Sequence, residues 1–149
     1  MSTLGTLGIC LALAAGLPPG AEPAGRAQAA RFVPVQRFTL AWTHSIEKIR
    51  WEEDYRARWA ANGRPHLALE AARIRGSGAG MEPPPGARLH DGWYEYVPAD
   101  QPQGALRLTR SPYTADYDWC VDGHCAPLGT VLPTDGGVTL MWPCTEARP

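Results

Sequence analysis

The sequence predicts an all-β fold, a compact antiparallel sandwich or partly closed barrel behind an N-terminal signal peptide. Three observations predict it. Apolar and polar residues alternate over several short runs, glycine and proline punctuate those runs, and no amphipathic helical stretch follows the apolar N-terminus.

From Leu4 to Leu17 the chain is uncharged and apolar apart from Gly and Thr, until Pro18, Pro19 and Gly20 stop it. The run is shorter than the roughly 20 residues a membrane span needs. Ala27-Gln28-Ala29 is a small-x-small pattern of the kind signal peptidase accepts. Cleavage is therefore expected after Ala29, with Ala21 as an alternative, leaving residues 30–149 as one β-rich domain. Met1 to Thr3 lack the Lys or Arg of a leader's basic region, and a retained membrane anchor is the competing reading. Cys10 follows Ile9, where a lipoprotein site wants a small residue. The expected location is the periplasm or the exterior.

Phe38, Leu40 and Trp42 alternate with Thr39, Ala41 and Thr43, the period of a half-buried strand, and His44 inherits the inward side. Ile49, Trp51, Tyr55, Ala57 and Trp59 share one parity while Lys48, Arg50, Glu52, Asp54, Arg56 and Arg58 share the other. A helix would scatter both sets, so this is a second strand, with Glu53 on its apolar side. Inward parity changes from even to odd between these runs, which demands a bulge or turn near Ser45 to Lys48. Asn62-Gly63 marks a turn, and Leu67, Leu69 and Ala71 continue as an antiparallel partner. Gly76 to Gly86 reads as a loop. Further strands are expected at Trp93 to Val97, Leu106 to Arg110, Tyr117 to Val121 and Val138 to Trp142.

In Cys120-Val121-Asp122-Gly123-His124-Cys125, Asp-Gly favours a two-residue hairpin turn. Cys120 and Cys125 then form the next cross-strand pair, at a non-hydrogen-bonded position close enough for a disulfide. Cys144 is left as an odd thiol or as an alternative partner for Cys125. The rival reading is zinc held by the three sulfurs and His124, at a spacing that is not that of a standard motif.

The 149 residues carry a formal net charge of −1, so no excess of Lys and Arg exists to collect phosphates, and nucleic-acid binding is not expected. Candidate chemistry lies in two segments. His44, Ser45, Glu47 and Glu53 offer an imidazole, a hydroxyl and carboxylates, able to ligate a metal or move protons if they converge. Gly76, Ser77, Gly78, Gly80, Met81 and Glu82 form a glycine-rich loop whose amides suit a small ligand. Its spacing is not that of a nucleotide loop. The structural alternative makes His44 a bonded core residue and Glu53 the partner of a semi-buried arginine such as Arg73. No cofactor is implied.

Thr43-His44-Ser45-Ile46-Glu47-Lys48 with Trp51-Glu52-Glu53, and Gly76-Ser77-Gly78-Ala79-Gly80-Met81-Glu82-Pro83-Pro84, resemble the bacterial family catalogued as domain of unknown function 1850. The resemblance covers roughly Phe38 to Cys144. It implies a small exported or membrane-associated protein of a kind often encoded beside tripartite ATP-independent periplasmic (TRAP) transporters of the TAXI type. The resemblance implies an accessory role in solute uptake, and the leading reading is a non-enzymatic binding or accessory module with a membrane transporter, its solute-binding protein or a small ligand as partner. An enzyme using His44, Glu47 and Glu53, or a purely structural envelope protein, are the alternatives.

Overall fold

The computed structural model describes residues 5–44, 48–76 and 84–146. Among them the strands are β1 (Thr6–Leu13), β2 (Arg31–Val33), β3 (Arg37–Thr43), β4 (Arg50–Trp59), β5 (Pro65–Arg75), β6 (Arg88–His90), β7 (Trp93–Tyr96), β8 (Leu106–Thr109), β9 (Asp118–Val121), β10 (His124–Pro127) and β11 (Val138–Glu146). The described helices are short 3-10 turns. Two antiparallel sheets form a sandwich: sheet A in the order β2-β1-β11-β8 and sheet B in the order β10-β9-β3-β4-β5-β7-β6. The sheets keep separate edges, so the fold is a sandwich and not a barrel.

Alternation explains which faces meet. Phe38 and Leu40 of β3, Tyr55 and Ala57 of β4, Leu67 and Leu69 of β5 and Trp119 of β9 turn inward together. Leu7, Ile9 and Leu11 of β1 and Met141 of β11 meet them from sheet A. The Phe38 ring stacks between Tyr55, at 5.3 Å, and Trp119, at 4.5 Å. Each fully buried aliphatic side chain contributes about 1.5–3 kcal/mol. The parity switch between β3 and β4 is seen in their antiparallel pairing, with Trp42 opposite Trp51, while Ser45, Ile46 and Glu47 of the expected bulge or turn lie outside the described residues. β4 and β5 flank the Asn62-Gly63 turn, and their register slips at Asp54/Tyr55, leaving Glu70 as an extra residue in β5.

Strand β1 uses the apolar run that reads as a leader. It lies between β2 and β11 in sheet A, with Cys10 opposite Trp142. Its odd residues face sheet B, while Cys10 and Ala12 pack with Leu140, Trp142 and Cys144 beneath Leu17, Ala29 and Phe32. A strand buried on both faces reads as a continuous apolar run. In this fold a strand and a cleaved leader are alternative uses of the same residues, since a cut after Ala29 separates β1 from β2.

The cysteines follow the same division. Cys120 stands opposite Cys125, as the hairpin logic predicts, and the two are bonded with Cα atoms 4.0 Å apart. Asp122 and Gly123 both have positive φ, 51° and 79°, the requirement of the tightest hairpin turn. Cys144 is neither odd nor Cys125's partner. It is bonded to Cys10, at a sequence separation of 134. With every cysteine in a disulfide, no thiolate is left for the zinc reading. The two bonds fit an exported protein. No described helix is long and apolar enough to cross a membrane.

Two polar devices hold the layers. Arg110 is only 2 % exposed, and its guanidinium donates to both carboxylate oxygens of Asp116, at 2.9 and 2.7 Å, and to Thr139 Oγ1 at 3.0 Å. Hydrogen bonds from Arg110 hold the Asp116 carboxyl below the usual range. The β5 backbone is paired with β7 only over Ala72–Arg75, and Gln101 supplies a substitute partner further along. Leu69 N–H donates to Gln101 Oε1 at 2.9 Å, and Gln101 Nε2 donates to Leu69 O at 3.1 Å.

Candidate functional site

The two sequence segments singled out for chemistry leave sheet B at the same end. β3 ends at Thr43, and the backbone then closes on β4 through His44 N–H to Ile49 O at 2.8 Å and Lys48 N–H to His44 O at 2.9 Å. On β4, Trp51 is opposite Ile74 of β5, so Ile49 and Gly76 leave adjacent strands side by side. Gly76, with φ +74°, donates its N–H to Gly92 O at 2.6 Å, which ties it also to the β6–β7 hairpin. Ser45, Glu47, Ser77, Gly78, Gly80, Met81 and Glu82 lie outside the described residues.

At this end the inner face of sheet B carries aromatic rings. Trp42 and Trp51 stack with centroids 6.2 Å apart, and Tyr117 tilts against Trp42 at 5.7 Å. His44, Trp42, Thr43, Thr109, Thr114 and Tyr117 line a cavity of about 200 Å³. That is below the roughly 300–1,000 Å³ of drug-sized ligand sites, and it suits a small solute or one side chain of a partner. Tyr117 and Thr114 carry no motif in the sequence. They enter because the segment before β9 crosses the end of β3.

Glu53 occupies the inner face between Leu40 and Ala72. Burial pushes its carboxyl up, and a hydrogen bond donated by Tyr55 only partly offsets this. The hydroxyl of Tyr55 is itself pushed up, by burial first and then by Glu53. Tyr96 and Tyr117 feel the same carboxylate, with burial again the larger cause of their upward shifts. The result is an acid set among three phenols, able to hold a proton above the ordinary carboxylate range. Its reach to His44 is limited. Glu53 is opposite Leu40, four residues along β3 from His44, or roughly 14 Å at the rise of a strand. The stacked Trp42 and Trp51 stand between, so these two residues do not form an acid–base pair and instead bracket an aromatic platform.

Glu53 is not the partner of Arg73. The two point to opposite faces, and Arg73 binds Asp54 at 2.6 Å and Glu52 at 3.2 Å on the outer side. Arg50 joins the network through Glu52 at 3.1 Å and Asp118 at 3.0 Å. Burial pushes Asp54 up, but hydrogen bonds from Arg73 and Thr39 and the charge of Arg73 outweigh it, so its carboxyl is held below the usual range. These charges satisfy one another and make a structural girdle. Among the described residues no group of three or more His, Cys, Asp or Glu side chains is placed to hold a metal ion.

No curated protein and no solved structure matches the chain. A family model does match, over residues 38–128, which contain nearly all of sheet B together with His44 and Gly76. The two motifs, their common end of the sheet and this match together show that the chain belongs to the family of domain of unknown function 1850.

Proposed function

We propose that this domain is a non-enzymatic binding module of periplasmic solute uptake, which receives a small polar solute, or a side chain of a transporter component, at the His44 end of sheet B. The observation that supports this reading is that the two segments leave sheet B at the same end. β3, β4 and β5 deliver the roots of both motifs to one end, beside a small cavity walled by Trp42 and Tyr117. An aromatic platform with an imidazole at one end and a carboxyl at the other recognises a polar ligand through stacking and directed hydrogen bonds. The separation of His44 from Glu53 favours binding over acid–base catalysis by that pair. The link to a TRAP-type transporter or its solute-binding protein rests on the family resemblance.

Thermal unfolding of the full chain against divalent metals, small carboxylates and amino acids tests the solute reading. A ligand at about a hundred times its dissociation constant adds about 2.7 kcal/mol, a shift of several degrees. The expected result is such a shift, lost in His44→Ala and weakened in Glu53→Gln. If no compound shifts the transition, the solute reading falls, and co-purification with a co-expressed transporter tests the partner. Failure of both arms refutes the proposal.

A further inference from the structure

The outer face of sheet B is divided in its charge. Toward the His44 end, Arg50 and Arg73 are matched by Glu52, Asp54 and Asp118. Toward the β4–β5 turn, Arg37, Arg56, Arg58 and Arg64 have no carboxylate within ion-pair distance among the described residues. Arg37 of β3 stands directly opposite Arg56 of β4. Ala57 N–H donates to Gln36 O at 2.7 Å, which makes that pair the hydrogen-bonded kind. The adjoining Arg37/Arg56 pair is then the closer, non-hydrogen-bonded kind, with Cα atoms about 4.5 Å apart. Like charges so placed destabilise a sheet. Burial does not require arginine here, because Arg37 is exposed and Arg56 half-buried.

A cavity of about 310 Å³ opens beside the pair and is lined by both arginines, Gln36 and Asp122. Asp122 is out of ion-pair reach of either guanidinium, which leaves two cations to one carboxylate. We propose that Arg37 and Arg56 form an oxyanion site that takes a phosphate or carboxylate group. Two guanidinium groups give planar, paired N–H donors matched to such a group, and one bound anion relieves their mutual repulsion. The site lies at the opposite end of sheet B from His44, so it goes beyond the reading above and stands independently of it. The oxyanion belongs either to a free solute or to a lipid headgroup.

The test is thermal unfolding of the full chain in phosphate and in chloride at matched ionic strength and pH, for wild type, Arg37→Gln, Arg56→Gln and the control Arg58→Gln. Phosphate is expected to raise the wild-type and control transitions by several degrees, with an affinity at least tenfold weaker in the two site variants. In chloride, each site variant is expected to match wild type or exceed it by roughly 1–4 °C, as relief of repulsion requires. An equal phosphate response in all four proteins, or a lowered transition for both site variants in chloride, overturns the proposal. Co-sedimentation with phosphatidylglycerol–phosphatidylcholine vesicles assigns the source. Retention lost in Arg37→Gln marks a headgroup, and absence of retention alongside the phosphate response marks a soluble oxyanion.

Discussion

Replacing Cys10 and Cys144 together by alanine measures how far the N-terminal strand belongs to the folded domain. The bond closes a loop of 134 residues, for which the chain-entropy relation gives about 5 kcal/mol. The hairpin disulfide spans 5 residues, and the same relation gives about 2 kcal/mol. Both sulfurs of the long-range bond are sealed, with Cys10 and Cys144 0 % and 1 % exposed, so small voids add to the loss. Against a total stability of roughly 5–15 kcal/mol, the long-range bond represents a third or more. Urea unfolding of the full chain, compared with Cys120→Ala/Cys125→Ala, is the assay. The Cys10/Cys144 variant is expected to lose about twice as much or more. A loss no greater than that of the hairpin variant refutes the reasoning. So does a fragment of residues 30–149 that unfolds with the midpoint and denaturant slope of the full chain, because β1 would then contribute nothing and the apolar run would be a leader.

Three further outcomes follow from the polar groups. Asp116→Ala leaves the Arg110 charge buried without its carboxylate and is expected to cost about 3–5 kcal/mol in urea unfolding. Because the Asp116 value is depressed, the stability that pair contributes is complete above the ordinary aspartate range, near 3.9, and disappears as pH falls through the folded value. Glu53 has the opposite sign. Its folded value is raised, so its contribution is complete below about 4.3 and is lost as pH rises through the folded value. Glu53→Gln is therefore expected to gain on wild type between pH 4 and 8, and a difference that stays flat with pH in melting experiments contradicts the burial argument. Gln101→Ala strips the Leu69 N–H and C=O of their partner and is expected to cost about 1–3 kcal/mol in the same unfolding assay.

The long strands of sheet B were legible because each has one wet and one dry face, whereas β6 (Arg88–His90), exposed throughout, shows no such alternation and does not read as a strand. Phe38, Leu40 and Trp42, and then Trp51, Tyr55 and Ala57, advertise their inward side by alternation. β1 does not alternate, since both its faces are buried, and an apolar run without alternation reads equally well as a leader. The partner of Cys144 was illegible for the same reason, because assigning Cys10 to a leader removed it from the pairing problem. The common end of the two motifs follows from the Asn62-Gly63 turn and the similar lengths of β4 and β5 on either side, which bring Gly76 beside Ile49. The bulge at Glu70 carries no sequence signal. Tyr117 and Thr114 reach His44 only through tertiary packing, and the Arg37/Arg56 opposition needs a register that periodicity alone does not provide.

The pairing of β1 with β11 governs the order in which the molecule can be completed. Sheet B is largely made of strands that are near neighbours along the chain, whereas the centre of sheet A joins strands drawn from opposite ends of the sequence. Local pairings form sooner than distant ones, so sheet B supplies the surface on which sheet A closes last. Until β11 arrives, the edge of β1 that faces it has no strand to pair with, and Cys10 lacks its native partner. The Cys10–Cys144 bond ties these two distant strands together, and only a chain that extends as far as Cys144 can form it.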